Sequence, residues 1–112
     1  MESTRQKKVS RLIQKEIALQ FQRKELTICN NAIVSITEVK VSADLKYAKV
    51  FVSIYPSKQP LEEIDLMNQS QYLIRKKLAQ KIRKQVRVIP ELKFYLDDSI
   101  SYSEEIERLL KK

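Results

Sequence analysis

The chain has 112 residues, 43% of them hydrophobic and 32% charged, with a formal net charge of +8: enough chain for one hydrophobic core, too little for two, and a soluble globular composition. It contains no histidine, no glycine and a single cysteine, Cys29. These absences remove the commonest general base and metal ligand, the glycine-rich loops that cradle nucleotide phosphates, any internal disulfide, and a cysteine nucleophile paired with histidine. The adjacent carboxylates Asp97-Asp98 and Glu104-Glu105 read as solvated surface, so no catalysis, metal, cofactor or small-molecule substrate is expected. No apolar run approaches the ~20 residues needed to cross a bilayer, and Met1 to Lys8 is polar. The expectation is one cytoplasmic domain over 1–112, with no membrane partner.

In chain order, Val9, Leu12, Ile13, Ile17 and Phe21 have helical spacing, with Ser3 or Thr4 as the cap. Lys8, Arg11 and Lys15 line another face; a solvated surface is the first reading and RNA contact the second. The segment Glu25 to Ala32 ends this helix, and Asn30-Asn31 suits a left-handed turn. Two β-rich runs follow, Ile33 to Val41 and Lys46 to Tyr55. The short link Ser42-Ala43-Asp44-Leu45 makes them an antiparallel hairpin. In the second run Ala48, Val50, Val52 and Ile54 share one face; Tyr47, Lys49, Phe51 and Tyr55 share the other. In the first, Val34 and Ile36 are out of phase with Val39 and Val41, which calls for a bulge or burial on both faces. Tyr47, Lys49 and Phe51 form a base-stacking surface if helices cover only one face of the sheet. Packing of the two aromatics against the first or last helix is the favoured reading.

Pro60, followed by Glu62 and Glu63, opens a helix that carries Leu61, Ile64 and Met67 inward. The polar patch Asn68-Gln69-Ser70-Gln71 interrupts it before a second helix, from about Tyr72 to Gln85, with the apolar stripe Ile74, Leu78 and Ile82. Leu73 is out of phase with that stripe, which predicts a kink near Ser70 to Tyr72. A third strand after Pro90 puts Leu92, Phe94 and Leu96 on one face. Ser101 and Glu104 then fit a capping box for a short terminal helix bearing Ile106, Leu109 and Leu110. The fold class is α+β: a three-stranded sheet with helices on one face. The crossover through the helix pair makes the last two strands parallel and the sheet mixed.

Between Leu66 and Pro90 there are seven cations and no acid, whereas six of the fourteen acids fall between Glu91 and Glu107. A directed positive field of this kind suits a polyanion, and RNA is the first to consider. Lys76, Lys77, Lys81, Arg83, Lys84 and Arg87 are the expected contacts, to backbone phosphates. Lys8, Arg11, Lys15 and Lys49 are secondary candidates. Arg75 is expected to support the core through its stem. From the residues alone this is a basic RNA-binding domain. A generic nucleic-acid chaperone or DNA-binding protein, and a structural ribosomal protein, compete with that reading.

The element order is also that of a type II KH domain. The stretches Ser42-Ala43-Asp44-Leu45-Lys46-Tyr47-Ala48-Lys49-Val50-Phe51-Val52-Ser53 and Val88-Ile89-Pro90-Glu91-Leu92-Lys93-Phe94, with Asp98-Ser99-Ile100, resemble the ribosome-binding factor A family. Leu12-Ile13, Glu16-Ile17-Ala18 and Ile74-Arg75 fit the same family's helices. The resemblance implies a monomeric, non-enzymatic assembly factor. Its partners would be the free 30S subunit and 16S rRNA, whose late maturation and 5′-end processing it assists, and it would be associated with growth in the cold. The chain departs from the pattern in three places. Ser70, Gln71 and Tyr72 stand where the family has an Ala-x-Gly kink, Ile28-Cys29-Asn30 lies near its Asp-Pro-Arg stretch, and Ser103 replaces a glycine. Without glycine, the GXXG loop of ordinary KH domains cannot be built.

Overall fold

Ser3 opens the first helix by reciprocal capping: its hydroxyl accepts from the Gln6 N–H at 3.2 Å, while its own N–H donates to Gln6 Oε1 at 2.8 Å. The computed structural model describes residues 3–23, 33–55 and 59–97. The elements are α1 (Thr4–Gln22), β1 (Ile33–Val41), β2 (Tyr47–Tyr55), α2 (Pro60–Gln69), α3 (Gln71–Ile82) and β3 (Glu91–Leu96). The sheet order is β1-β2-β3, with β1 antiparallel and β3 parallel to β2. This is the α+β, type II KH-like arrangement expected. The Asn30-Asn31 turn, Cys29 and the terminal helix lie outside the described residues.

The phase error in β1 is a bulge. Ile36 pairs with Val52 and Glu38 with Phe51, leaving Thr37 as the extra residue. One inserted residue exchanges the faces, so Ile36 before it and Val39 and Val41 after it are all buried. The Thr37 hydroxyl donates to Asp97 Oδ2 at 2.7 Å and lies 3.2 Å from the Phe51 carbonyl, which ties the bulge to the end of β3.

Leu45, in the hairpin turn, is the one described residue with positive φ, at 63°. That conformation costs a leucine about 1–2 kcal/mol. It is offset by burial of the side chain in the core and by the Leu45 N–H donating to the Ser42 carbonyl at 2.9 Å.

The core lies between the helices and one sheet face. Ile13, Ile17, Met67, Ile74, Leu78 and Ile82 are fully buried against Val50, Val52 and Phe94. The unpaired edges of the sheet are closed by amides. Gln6 and Gln14 donate to the Val41 and Ile36 carbonyls, each at 2.9 Å. Asn68 both donates to the Phe94 carbonyl and accepts its N–H, at 3.0 and 2.8 Å.

Two expectations are corrected. Leu61 is 68% exposed rather than inward. Each three-residue step turns about 60° short of a full circle, so Leu61 sits about 120° from Met67, off the buried stripe. The second helix ends at Ile82 rather than near Gln85, and residues 83–85 continue as turns. Between the helices Ser70 has φ −100° and ψ 12°, a conformation open to any residue, and Gln71 already begins α3. No described helix is long and apolar enough to cross a membrane.

Candidate nucleic-acid interface

On α3 the stripe Ile74, Leu78 and Ile82 faces the core, which leaves the polar side chains to the flanks and the outer surface. Arg75 is the exception among the cations. Its Nε and Nη2 donate to the Ile89 carbonyl at 3.3 and 2.6 Å, and Nε also reaches the Pro90 carbonyl at 3.1 Å. It thereby holds the segment that leads into β3 through its guanidinium, whereas the expectation was support of the core through its stem. Lys76, Lys81, Arg83, Lys84 and Arg87 are exposed and Lys77 is partly buried. None of the six has an ion-pair partner among the described residues, where Lys40–Glu38 at 4.0 Å is the one ion pair.

The six do not form one patch. Lys76, Arg83 and Arg87 border a groove of about 490 Å³ between α3 and the segment leading to β3; Tyr72, Arg75, Ala79, Val88 and Ile89 complete its lining. Lys77 and Lys81, on another flank of the helix, and Lys84, in the turn that follows it, lie outside that groove's lining. Lys8, Arg11 and Lys15 are exposed on α1, on the side away from buried Val9, Ile13 and Ile17. Lys49 lies on the opposite face of the sheet from the helices, apart from all of these. Ser70 and Gln71 lie outside the groove lining, whereas Tyr72 forms part of it and is 71% exposed. Reading the sequence assigned Tyr72 to the kink alone. Its spacing from Lys76 and Arg83, i+4 and i+11, was the available signal that the three share a helix face.

On the sheet face away from the described helices Tyr47 is 58% exposed, so the first helix does not cover it; the expected alternative, packing against the last helix, lies outside the described residues. Phe51 packs on Tyr95 of the neighbouring strand, with ring centroids 5.6 Å apart and 27° between planes. The parallel register that places Phe51 opposite Tyr95 brings the rings together. Lys40 lies 6.0 Å from the Phe51 ring centroid and Lys93 5.4 Å from that of Tyr95. A second groove, of about 610 Å³, runs along Tyr47, Lys49, Glu91, Lys93 and Tyr95 to Asn68 and Gln71.

A family model described as ribosome-binding factor A matches residues 5–110. The ribosome-binding factor A of Cytophaga hutchinsonii is 43% identical over 115 residues, covering 100% of this chain and 84% of that protein. The crystal structure of ribosome-binding factor A from Thermus thermophilus has a TM-score of 0.65 at 15% identity, covering 81% of this chain and 94% of that one. A homology model of the Thermus thermophilus factor, fitted into a cryo-EM map of a 30S complex, gives 0.61 at 17% identity over 78% and 89% of the two chains. At these identities the structural likeness speaks for the fold.

Proposed function

The chain belongs to the ribosome-binding factor A family, and from that premise we propose that it binds the free 30S ribosomal subunit by gripping phosphates of 16S rRNA. It acts as a single-domain, monomeric cytoplasmic assembly factor. By holding a local RNA conformation it assists late maturation and 5′-end processing, which matters most in the cold. The mechanism is binding without covalent chemistry, and release follows displacement or a change in the subunit. The observation that carries this reading is the acid-free run from Leu66 to Pro90, whose Lys76, Lys77, Lys81, Arg83, Lys84 and Arg87 have no ion-pair partner among the described residues. Cations left unpaired are free to replace the counterions of a nucleic-acid backbone. The 30S complex of the Thermus factor is in keeping with that target. Lys8, Arg11, Lys15 and Lys49 are assigned secondary contacts.

Co-sedimentation of the pure protein with separated small subunits, large subunits and joined ribosomes tests the proposal. Selective binding to the small subunit is expected. An interface of ~6 phosphate contacts should lose about 10³-fold or more in affinity over a fourfold rise in salt. Equal binding to all three particles, and to unrelated RNA or DNA, would favour a generic nucleic-acid chaperone instead.

A further inference from the structure

Building on the cationic reading of α3, we propose that the groove beside it takes an unpaired RNA nucleotide, its base stacked on Tyr72 and its phosphate held by Lys76, Arg83 and Arg87. The groove is amphipathic in the way a nucleotide is. Tyr72, 71% exposed, stands at its lip; Val88, 50% exposed, with Ile89 and Ala79 supplies apolar wall and floor; the three cations border the rest. Ala79 carries only a methyl group between the turn bearing Tyr72 and Lys76 and the turn bearing Arg83, which leaves room for an inserted ring. The wall is fixed, because the Arg75 guanidinium anchors the Ile89 and Pro90 carbonyls. Arg75 is therefore a positioning residue, and the phosphate falls to its three unpaired neighbours. The groove volume, about 490 Å³, is within the range of small-ligand sites.

Stacking requires a base outside a helix. In a duplex the ring faces are covered by neighbouring bases, and only phosphates reach the cations. The groove therefore distinguishes unpaired from paired RNA, while the remaining cations of α3 do not. Because every base offers a π-face, the preference is for single strands and not for a sequence.

The test uses the full chain and two labelled probes, an eight-nucleotide single-stranded RNA and its duplex with the complement, followed by fluorescence anisotropy. Tyr72→Ala should weaken single-strand binding on the order of tenfold and leave duplex binding within about twofold; Tyr72→Phe should retain both. Since Tyr72 is exposed, the fold should survive, as circular dichroism would verify. Unchanged single-strand affinity in Tyr72→Ala, equal weakening toward both probes, or no measurable single-strand binding by the unaltered chain would each overturn the proposal. The variant K76E/R83E/R87E separates this failure from failure of the broader reading. If it loses both probes while Tyr72→Ala changes nothing, stacking alone is wrong. If it loses neither, the groove cations do not hold RNA and the proposal fails with them, while the flank of Lys77, Lys81 and Lys84 is untouched.

Discussion

The groove beside α3 and the sheet face away from the described helices both present an exposed tyrosine among cations, yet they are physically different surfaces. On the sheet Lys40 is paired with Glu38 and lies over Phe51, Lys93 lies over Tyr95, and Glu91 shares the groove with Lys49. Beside α3 no acid occurs between Asp65 and Glu91. Opposite charges at Debye-length range cancel much of a surface field, whereas like charges add. The comparison teaches that local charge balance, more than the number of cations or the presence of a ring, separates a polyanion site from ordinary solvated surface.

Charge reversal gives the largest expected effect. K77E/K81E/K84E should abolish small-subunit binding in co-sedimentation, and K76E/R83E/R87E should lower it by about 10³-fold or more at moderate salt. The slope of log affinity against log salt should fall by about 2.7 for three lost duplex phosphate contacts. The sheet variant K40E/K93E, which leaves the secondary contact Lys49 intact, should change affinity by no more than about threefold. A sheet variant as damaging as either helix variant would break the comparison. Retained circular dichroism with unchanged binding in both helix variants would move the site off α3.

A smaller effect separates two arginines of the same groove, Arg75 on α3 and Arg83 just past its end. Arg75→Ala removes charge-assisted hydrogen bonds to the Ile89 and Pro90 carbonyls and should cost about 1–3 kcal/mol of stability in denaturant unfolding. Arg83→Ala touches no such partner and should alter stability by no more than about 0.5 kcal/mol, while weakening RNA binding. The reverse pattern would mean that hydrogen-bonding state does not sort structural from binding cations here.

Much of this architecture was legible because local periodicity and the core agree. The stripe Ile74, Leu78, Ile82 and the alternation Ala48, Val50, Val52, Ile54 are buried as read. The mismatch in β1 left a bulge and burial on both faces open, and it took the pairing register to decide for a bulge at Thr37. Leu61 failed because an apolar residue in the first turn of a helix can overhang the core without a local sign of it. The stacking of Phe51 on Tyr95 depends on the register of strands far apart in sequence, and the edge-closing roles of Gln6, Gln14 and Asn68 are tertiary as well. For the candidate site, the acid-free run identified the helix, but its division into a groove and a separate flank required the segment at Val88 and Ile89 to fold back beside α3. Arg75 was set apart for its stem, whereas its structural part is played by the guanidinium on the Ile89 and Pro90 carbonyls, a tertiary contact that the helix pattern does not encode.

The smallest effect is one of pH, and it divides the same two regions. At the sheet end, the Asp44 carboxyl is held below its usual range, first by the Ser42 hydroxyl donating to Oδ1 at 2.6 Å and next by the Lys46 N–H at 3.1 Å. A carboxyl whose folded pKa is depressed contributes stability that is present above the unfolded value, about 3.9, and is lost as pH falls through the folded one. The stability difference between the unaltered chain and Asp44→Asn should therefore be constant from pH 5 to 8 and shrink below about pH 4. The difference is small, because the group is solvent-exposed. The groove contains only lysines, arginines and a tyrosine as ionisable groups, and the chain has no histidine, the side chain whose ordinary pKa falls between 5 and 8. RNA affinity should then be flat over that range at constant salt. A midpoint near pH 6 to 7 in the binding curve would place a titrating group at the RNA interface and end the account of binding by these cations alone.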